Sequence, residues 1–374
     1  MPQGSVLGPL LFLTYINDIT NSTNEGTFVL FADDTNIFVV GKSEDEVYEK
    51  ANRVLIAVHE YMSKNLLHIN MSKSVYMHFR PGKYSSCARA REYGSEKEIN
   101  LNGHSLMKVS KVKFLGIIID NELSWEDQIE HLKQKLNSCI NVIKRIMKYT
   151  PKSEYKKLYH SLFQSHLSYC ISSWGGLSQN KLSPILTIQK RCVRLLFGEK
   201  PSFDHDDYHD TCARTRTFHD HMKIKNYQLE NTKPIFNKEK ILSVHHLYVQ
   251  HTFLELFKIM KQQLPIPIFD LMITSPRITS NKMCLPKIEL ELSKQSFTFK
   301  SAAIWNTVID DIYDKCSPND DNIMVPGTSG YSDLSAPISI IKLRIKALLF
   351  QIQSIKTPGH ANEWMPNNFF DIKF

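Results

Sequence analysis

The sequence predicts an α+β fold with a mainly antiparallel sheet in its first third, followed by an all-α region. Three observations carry that prediction. Short runs of β-branched and aromatic residues are interleaved with helical patterns as far as Ile119. From Ser124 onward, apolar residues recur every three or four positions in one segment after another. Hydrophobic residues make up 42% and charged residues 22%, a globular mixture.

Met1 to Gly8 reads as a loop punctuated by Gly and Pro, and Leu10, Leu13 and Ile16 then recur at helical spacing. Phe28–Phe31 and Asn36–Val40 flank a short polar tetrapeptide, the pattern of a β-hairpin with Asp33 and Asp34 at its tip. Ser43 followed by Glu46 is a capping box, and Val47, Ala51, Val54, Leu55, Val58 and Met62 continue as one helical face. A strand is predicted from Lys73 to Phe79, a polar loop over Lys83–Glu98, and a second strand over Phe114–Ile119.

The helices that follow are lined by Ile129, Leu132, Leu136, Ile140, Ile143 and Met147, and after Pro151 by Tyr155, Leu158, Tyr159, Leu162 and Phe163. A third carries Leu182, Ile185, Leu186, Gln189, Val193 and Leu196. Later helices are predicted over Val244–Lys261, Ser301–Ile312 and Ile338–Ile352, with a mobile loop at 317–335. The domain boundaries read as 1–122, 123–200 and 201–374.

Seven scattered cysteines lack any Cys-x-x-Cys spacing, which argues against a disulfide framework and a zinc ribbon. No leader and no stretch of eighteen apolar residues is visible, so the expectation is an intracellular chain, cytoplasmic or nuclear, neither secreted nor membrane-bound. The formal charge is +8, and between residues 133 and 157 eight lysines and arginines face a single acid, Glu154. That density suits a polyanion, although a solvated helix face has the same composition. His205, His209, Cys212, His219 and His221 cluster without the spacing of a zinc finger and read as loop histidines.

Adjacent carboxylates repel unless a cation offsets them, and Mg²⁺ takes one or two carboxylates together with the phosphates of its substrate. Taken alone, Asp33-Asp34 reads as a polar turn. Its context changes that reading. Pro2-Gln3-Gly4-Ser5 through Phe12, then Phe31-Ala32-Asp33-Asp34, then Lys73-Ser74, then Phe114-Leu115-Gly116-Ile117 resemble consecutive motifs of non-LTR retrotransposon reverse transcriptases of the jockey-like kind. Phe31 stands where many members have tyrosine. Leu123-Ser124-Trp125, Trp174-Gly175 and Ala302-Ala303-Ile304-Trp305-Asn306 extend the resemblance to about residue 312.

The resemblance implies a partial polymerase palm at 1–122, a helical thumb at 123–200 and a helical C-terminal region. It also implies an RNA-directed DNA polymerase acting with Mg²⁺ on an RNA template, a DNA primer and dNTPs. Asp33 and Asp34 would be catalytic metal ligands, and Lys73 would lie near the leaving pyrophosphate. Pro2, Gln3, Gly4 and Ser5 would contact the template and nascent pair, and Phe114, Leu115 and Gly116 would grip the primer. Lys144, Arg145, Lys148, Lys156 and Lys157 would touch the nucleic-acid backbone. The family's other catalytic aspartate lies on a strand before the Pro-Gln-Gly loop. The expectation is therefore a truncated chain, inactive by itself, with a non-enzymatic nucleic-acid-binding remnant as the alternative.

Overall fold

The structure is a computed structural model that describes residues 4–79, 97–101, 103–198, 232–260, 263, 297, 300–306, 345, 346 and 349. The chain divides into two compact units, Met1–Ser124 and Trp125–Phe374. The expected 317–335 loop and the His205–His221 cluster lie outside the described residues.

In the first unit, helix α1 (Gly8–Ile16) opens with Pro9 near its first position, where a missing N–H costs nothing. Ser5 Oγ accepts from the Gly8 N–H at 3.0 Å, satisfying a donor that the helix cannot. A 3₁₀ turn (Asn17–Ser22) leads to strands β1 (Thr27–Phe31) and β2 (Asp34–Phe38), an antiparallel hairpin with Phe31 opposite Asp34. Helix α2 (Glu44–Lys64) carries the Ser43 cap its sequence predicts, with the Glu46 carboxylate reaching one residue further back than the capping box, to Lys42. Ser43 Oγ accepts from the Glu46 N–H at 3.2 Å, and Glu46 Oε2 accepts from the Lys42 N–H at 2.7 Å. Phe28, Leu30 and Ile37 pack on one side of the hairpin against Ile16, Ile19, Val54 and Val58, forming the core of this unit.

The remaining strands of the unit are short: β3 (Val75–Tyr76), β4 (Asn100–Leu101), β5 (His104–Ser105), β6 (Met107–Lys108), β7 (Lys111–Phe114) and β8 (Ile117–Asp120). They form three further two-stranded ladders, of which β3 with β6 is parallel. Two sequence expectations are corrected here. The strand expected over Lys73–Phe79 shrinks to Val75–Tyr76, because the N–H groups of Lys73 and Ser74 both bond to the Asn70 carbonyl in a turn. Phe114–Ile119 is not one strand. The chain reverses at Leu115 (φ +44°) and Gly116 (φ +89°), two consecutive left-handed residues of the kind a type I′ hairpin needs.

The second unit is helical. Helix α3 (Glu126–Ile146) buries Ile129, Leu132, Leu136, Ile140 and Ile143. A 3₁₀ turn (Lys152–Glu154), α4 (Tyr155–Leu158), a π-helical turn (Tyr159–Gln164) and α5 (Ser165–Ser168) run on as one rod, so the second predicted helix changes register along its length. Next come α6 (Ile171–Trp174), α7 (Gln179–Phe197), α8 (Thr232–Lys238) and α9 (Val244–Met260).

One apolar core runs through these elements. It includes Leu136, Phe163, Trp174, Leu182, Phe236, Phe253 and Trp305, with the Phe253 and Trp305 rings stacked at 5.0 Å. Gln189 lies inside it, fully buried, as the one amide in the predicted apolar stripe of α7. Its Nε2 donates to Tyr159 Oη and to the Leu242 carbonyl, each at 2.9 Å, and its Oε1 accepts from the Val244 N–H at 2.9 Å. The π turn, α7 and the start of α9 are thereby tied together by three bonds from one side chain. No described helix is long and apolar enough to cross a membrane. Cys139, Cys170 and Cys192 are free thiols.

Candidate active site

Phe31 and Asp34 form the last ladder pair of the first hairpin, so Ala32 and Asp33 are the two residues of its turn. Ala32 has φ +51°, a left-handed conformation that costs an L-residue roughly 1–2 kcal/mol and usually falls to glycine. A strained non-glycine residue at this place is the kind of backbone feature that gathers at functional sites. The turn brings two consecutive carboxylates into solvent, Asp33 from the turn and Asp34 from the first residue of β2, and both are exposed. Oxygen donors that water can reach at a rigid hairpin end suit a hard divalent cation, which completes its shell with water and phosphate.

Several other acids of this unit are engaged elsewhere. Asp45 pairs with Lys97, and the Glu25 carboxylate receives Arg53 Nε at 2.9 Å. Asp120 is buried, and its Oδ1 accepts from the N–H groups of Glu122 and Ser124 at 3.1 and 2.8 Å, so it stabilises the turn after β8. Among the described residues no group of three or more His, Cys, Asp or Glu side chains is gathered closely enough to hold a metal ion. The hairpin therefore offers two carboxylates from one edge.

The remaining sequence-predicted residues lie on separate elements. Pro2 and Gln3 fall outside the described residues. Gly4 has φ +85°, where a side chain would be strained, and Ser5 Oγ accepts from the Gly8 N–H at the start of α1. Lys73 is exposed in the Asn70–Ser74 turn. Phe114, Leu115 and Gly116 occupy the β7–β8 reversal. In the second unit Lys144 and Arg145 form the exposed basic last turn of α3, and Lys148 follows it, also exposed. Lys156 and Lys157 are on α4, where Lys157 Nζ meets Glu154 at 2.7 Å.

Sequence reasoning missed His160, half-buried one turn beyond Lys156, with Nδ1 at 2.7 Å from Gln164 Oε1. Burial and the nearby Lys346 and Lys156 hold its pKa below the ordinary imidazole value against the opposing bond to Gln164. The signal was its spacing from Ser153, Lys156 and Lys157 along one helical face, which periodicity alone does not separate from any solvated face.

A large apolar surface also borders the hairpin. Val6, Leu7, Leu10, Leu11 and Leu13 on and before α1, with Val29, Phe31 and Phe38 on the hairpin, are all exposed, Leu10 by 61% and Phe31 by 59%. Both strands are edges among the described residues, where β1 and β2 pair only with each other.

Residues 1–119 match the reverse transcriptase (RNA-dependent DNA polymerase) family. The chain is 26% identical over 203 residues to the retrovirus-related Pol polyprotein from type-1 retrotransposable element R1 of Bradysia coprophila, a match covering 52% of this chain and 19% of that protein. It is 23% identical to the RNA-directed DNA polymerase from mobile element jockey of Drosophila melanogaster, covering 53% of this chain and 22% of that one. A second type-1 element R1 polyprotein, from Nasonia vitripennis, is 26% identical over 46% of this chain and 42% of its own length. The chain thus spans between about a fifth and two fifths of these relatives, and no solved structure matches it. Over residues 1–119 the chain is similar to the reverse transcriptase family, and the proteins it resembles over about half its length are RNA-directed DNA polymerases and Pol polyproteins of retrotransposable elements.

Proposed function

We propose that this chain supplies one wall of an RNA-directed DNA polymerase site, and that its first unit is the corresponding part of a polymerase palm. The observation that carries the reading is the Phe31-Ala32-Asp33-Asp34 turn, two exposed carboxylates on a strained hairpin within the matched segment. Asp33 and Asp34 would hold Mg²⁺. Bound there, the cation lowers the cost of ionising a primer 3′-hydroxyl and offsets charge developing on the phosphate.

The other residues act around that centre. Lys73 donates a proton to the departing pyrophosphate oxygen, as an ammonium on an exposed turn can. Pro2 to Ser5 hold the template and the nascent pair, and the Phe114-Leu115-Gly116 reversal bears on the primer. The helices from Trp125 onward act as a thumb, positioning an RNA template and DNA primer through backbone phosphates at Lys144, Arg145, Lys148, Lys156 and Lys157. A two-metal clamp needs carboxylates on both sides of the ions, and the described residues bring two from one edge.

Primer extension on an RNA template with Mg²⁺ and dNTPs tests this. No synthesis is expected from the isolated chain. Robust synthesis lost in Asp33→Ala would show that the site is complete as it stands. A second reading, a nucleic-acid-binding chain without catalysis, is favoured by the exposed basic end of α3. In that case duplex binding survives Asp33→Ala and falls with salt.

A further inference from the structure

Ser153, Lys156, Lys157, His160 and Ser161 line an open groove of about 660 Å³ on the second unit. Their spacing of three, four, seven and eight residues places them along one face of the rod from the 3₁₀ turn through α4 into the π turn. The π turn is itself informative, since such one-turn insertions concentrate at functional sites.

The geometry points to a phosphate-binding groove on this face, built by Ser153, Lys156, Lys157 and His160, that receives the backbone of a nucleic acid. This rests on the reading that the chain binds nucleic acid, and it adds the Ser153 hydroxyl and the His160 imidazole to the lysines.

The chemistry of the lining supports it. Lys156 has no carboxylate paired to it among the described residues, while Lys157 is paired with Glu154. Ser161 Oγ donates back to the Lys157 carbonyl at 2.8 Å, so Ser161 shapes the wall while Ser153 offers a hydroxyl. His160 faces Gln164 through Nδ1, Lys156 and Lys346 through their charge, and the Tyr159 ring edge-on at 5.4 Å. With Nδ1–H donated to the Gln164 oxygen, Nε2 is the nitrogen that takes up the next proton, and two ammonium groups oppose that uptake. A phosphate in the groove reverses the opposition. Binding therefore takes up a proton, and by linkage the groove binds more tightly as pH falls.

The test is fluorescence anisotropy of the full chain with a labelled RNA/DNA duplex at low salt, at pH 7.5 and 5.5. In a parallel arm, tripolyphosphate is titrated while the His160 C2 proton, identified by its absence in His160→Gln, is followed by NMR. Wild type is expected to bind the duplex about three- to tenfold more tightly at pH 5.5, up to the tenfold that one linked pKa unit allows. His160→Gln should flatten that gain, and Lys156→Gln should weaken binding at both pH values and reduce the salt slope by about one contact.

An unchanged pH gain in His160→Gln overturns the groove. So does wild-type affinity in Lys156→Gln, a variant of a partly exposed residue that keeps the test open if His160→Gln misfolds. If tripolyphosphate moves the His160 resonance but the duplex does not bind, the groove is a site for free phosphate and the nucleic-acid reading falls. If the duplex binds only through Lys144, Arg145 and Lys148, that reading stands and the groove falls.

Discussion

Ala32 holds φ at +51° with a β-carbon that the conformation disfavours, and the hairpin around it has a single ladder to offset the strain. Ala32→Gly removes the clash without touching a carboxylate. It is expected to stabilise the hairpin by about 1 kcal/mol, raising hydrogen-exchange protection of the β1 and β2 amides about fivefold. No gain would mean that the turn relaxes by another route. This is also where the sequence stops being informative. Asp33 and Asp34 were legible as a hairpin tip, because β-branched and aromatic runs flank a polar tetrapeptide, and the structure narrows the turn itself to Ala32 and Asp33. That alanine carries the left-handed residue was not legible, since propensity assigns such positions to Gly, Asn or Asp.

At the scale of elements, the polar hub matters more than any apolar contact. Gln189 answers three groups that would otherwise be buried without partners, and each costs about 1–3 kcal/mol when left so. Gln189→Met keeps the volume and removes the bonds, so the urea midpoint of the second unit should fall by the equivalent of about 3 kcal/mol or more. A change below about 1 kcal/mol would show that water or a shifted Tyr159 takes over.

Helical periodicity placed α2, α3 and α7 close to their observed spans, because a buried stripe at 3.6-residue spacing is set by the chain itself. The same stripe named Gln189 as a core-facing residue but not its bonds, which reach Tyr159, Leu242 and Val244 across 30 to 55 positions. The Phe114–Ile119 run was read as one strand for a related reason. Leucine at Leu115 gives no turn signal, and only Gly116 marks the reversal.

At the scale of the whole molecule, acid is expected to destabilise the second unit through two buried histidines. Burial pushes His245 down to about 4 and His246 down to about 3, from an ordinary 6.5. Both are neutral when folded and protonate more readily when unfolded. Stability is therefore fully present above pH 6.5 and is lost as pH falls toward 4 and then 3, at about 1.4 kcal/mol per unit for each histidine.

All four tryptophans, Trp125, Trp174, Trp305 and Trp364, belong to the second unit, so intrinsic tryptophan fluorescence reports its melting alone. Melts at pH 7, 5.5 and 4.5 should show a steep fall below pH 6, blunted in a His246→Leu variant. An equal acid response in that variant would assign the loss to other groups.

The apolar surface on α1 and the first hairpin reaches past the site it borders. Leu7, Leu10, Leu11, Leu13 and Phe31 present to solvent what folded chains ordinarily hide, beside two strand edges without a further partner among the described residues. In a cell, holdases and proteases recognise such surfaces, and they continuously triage whatever displays them. Left uncovered, Leu7, Leu10, Leu11, Leu13 and Phe31 would make the abundance of this chain depend on that triage as well as on how often its message is read.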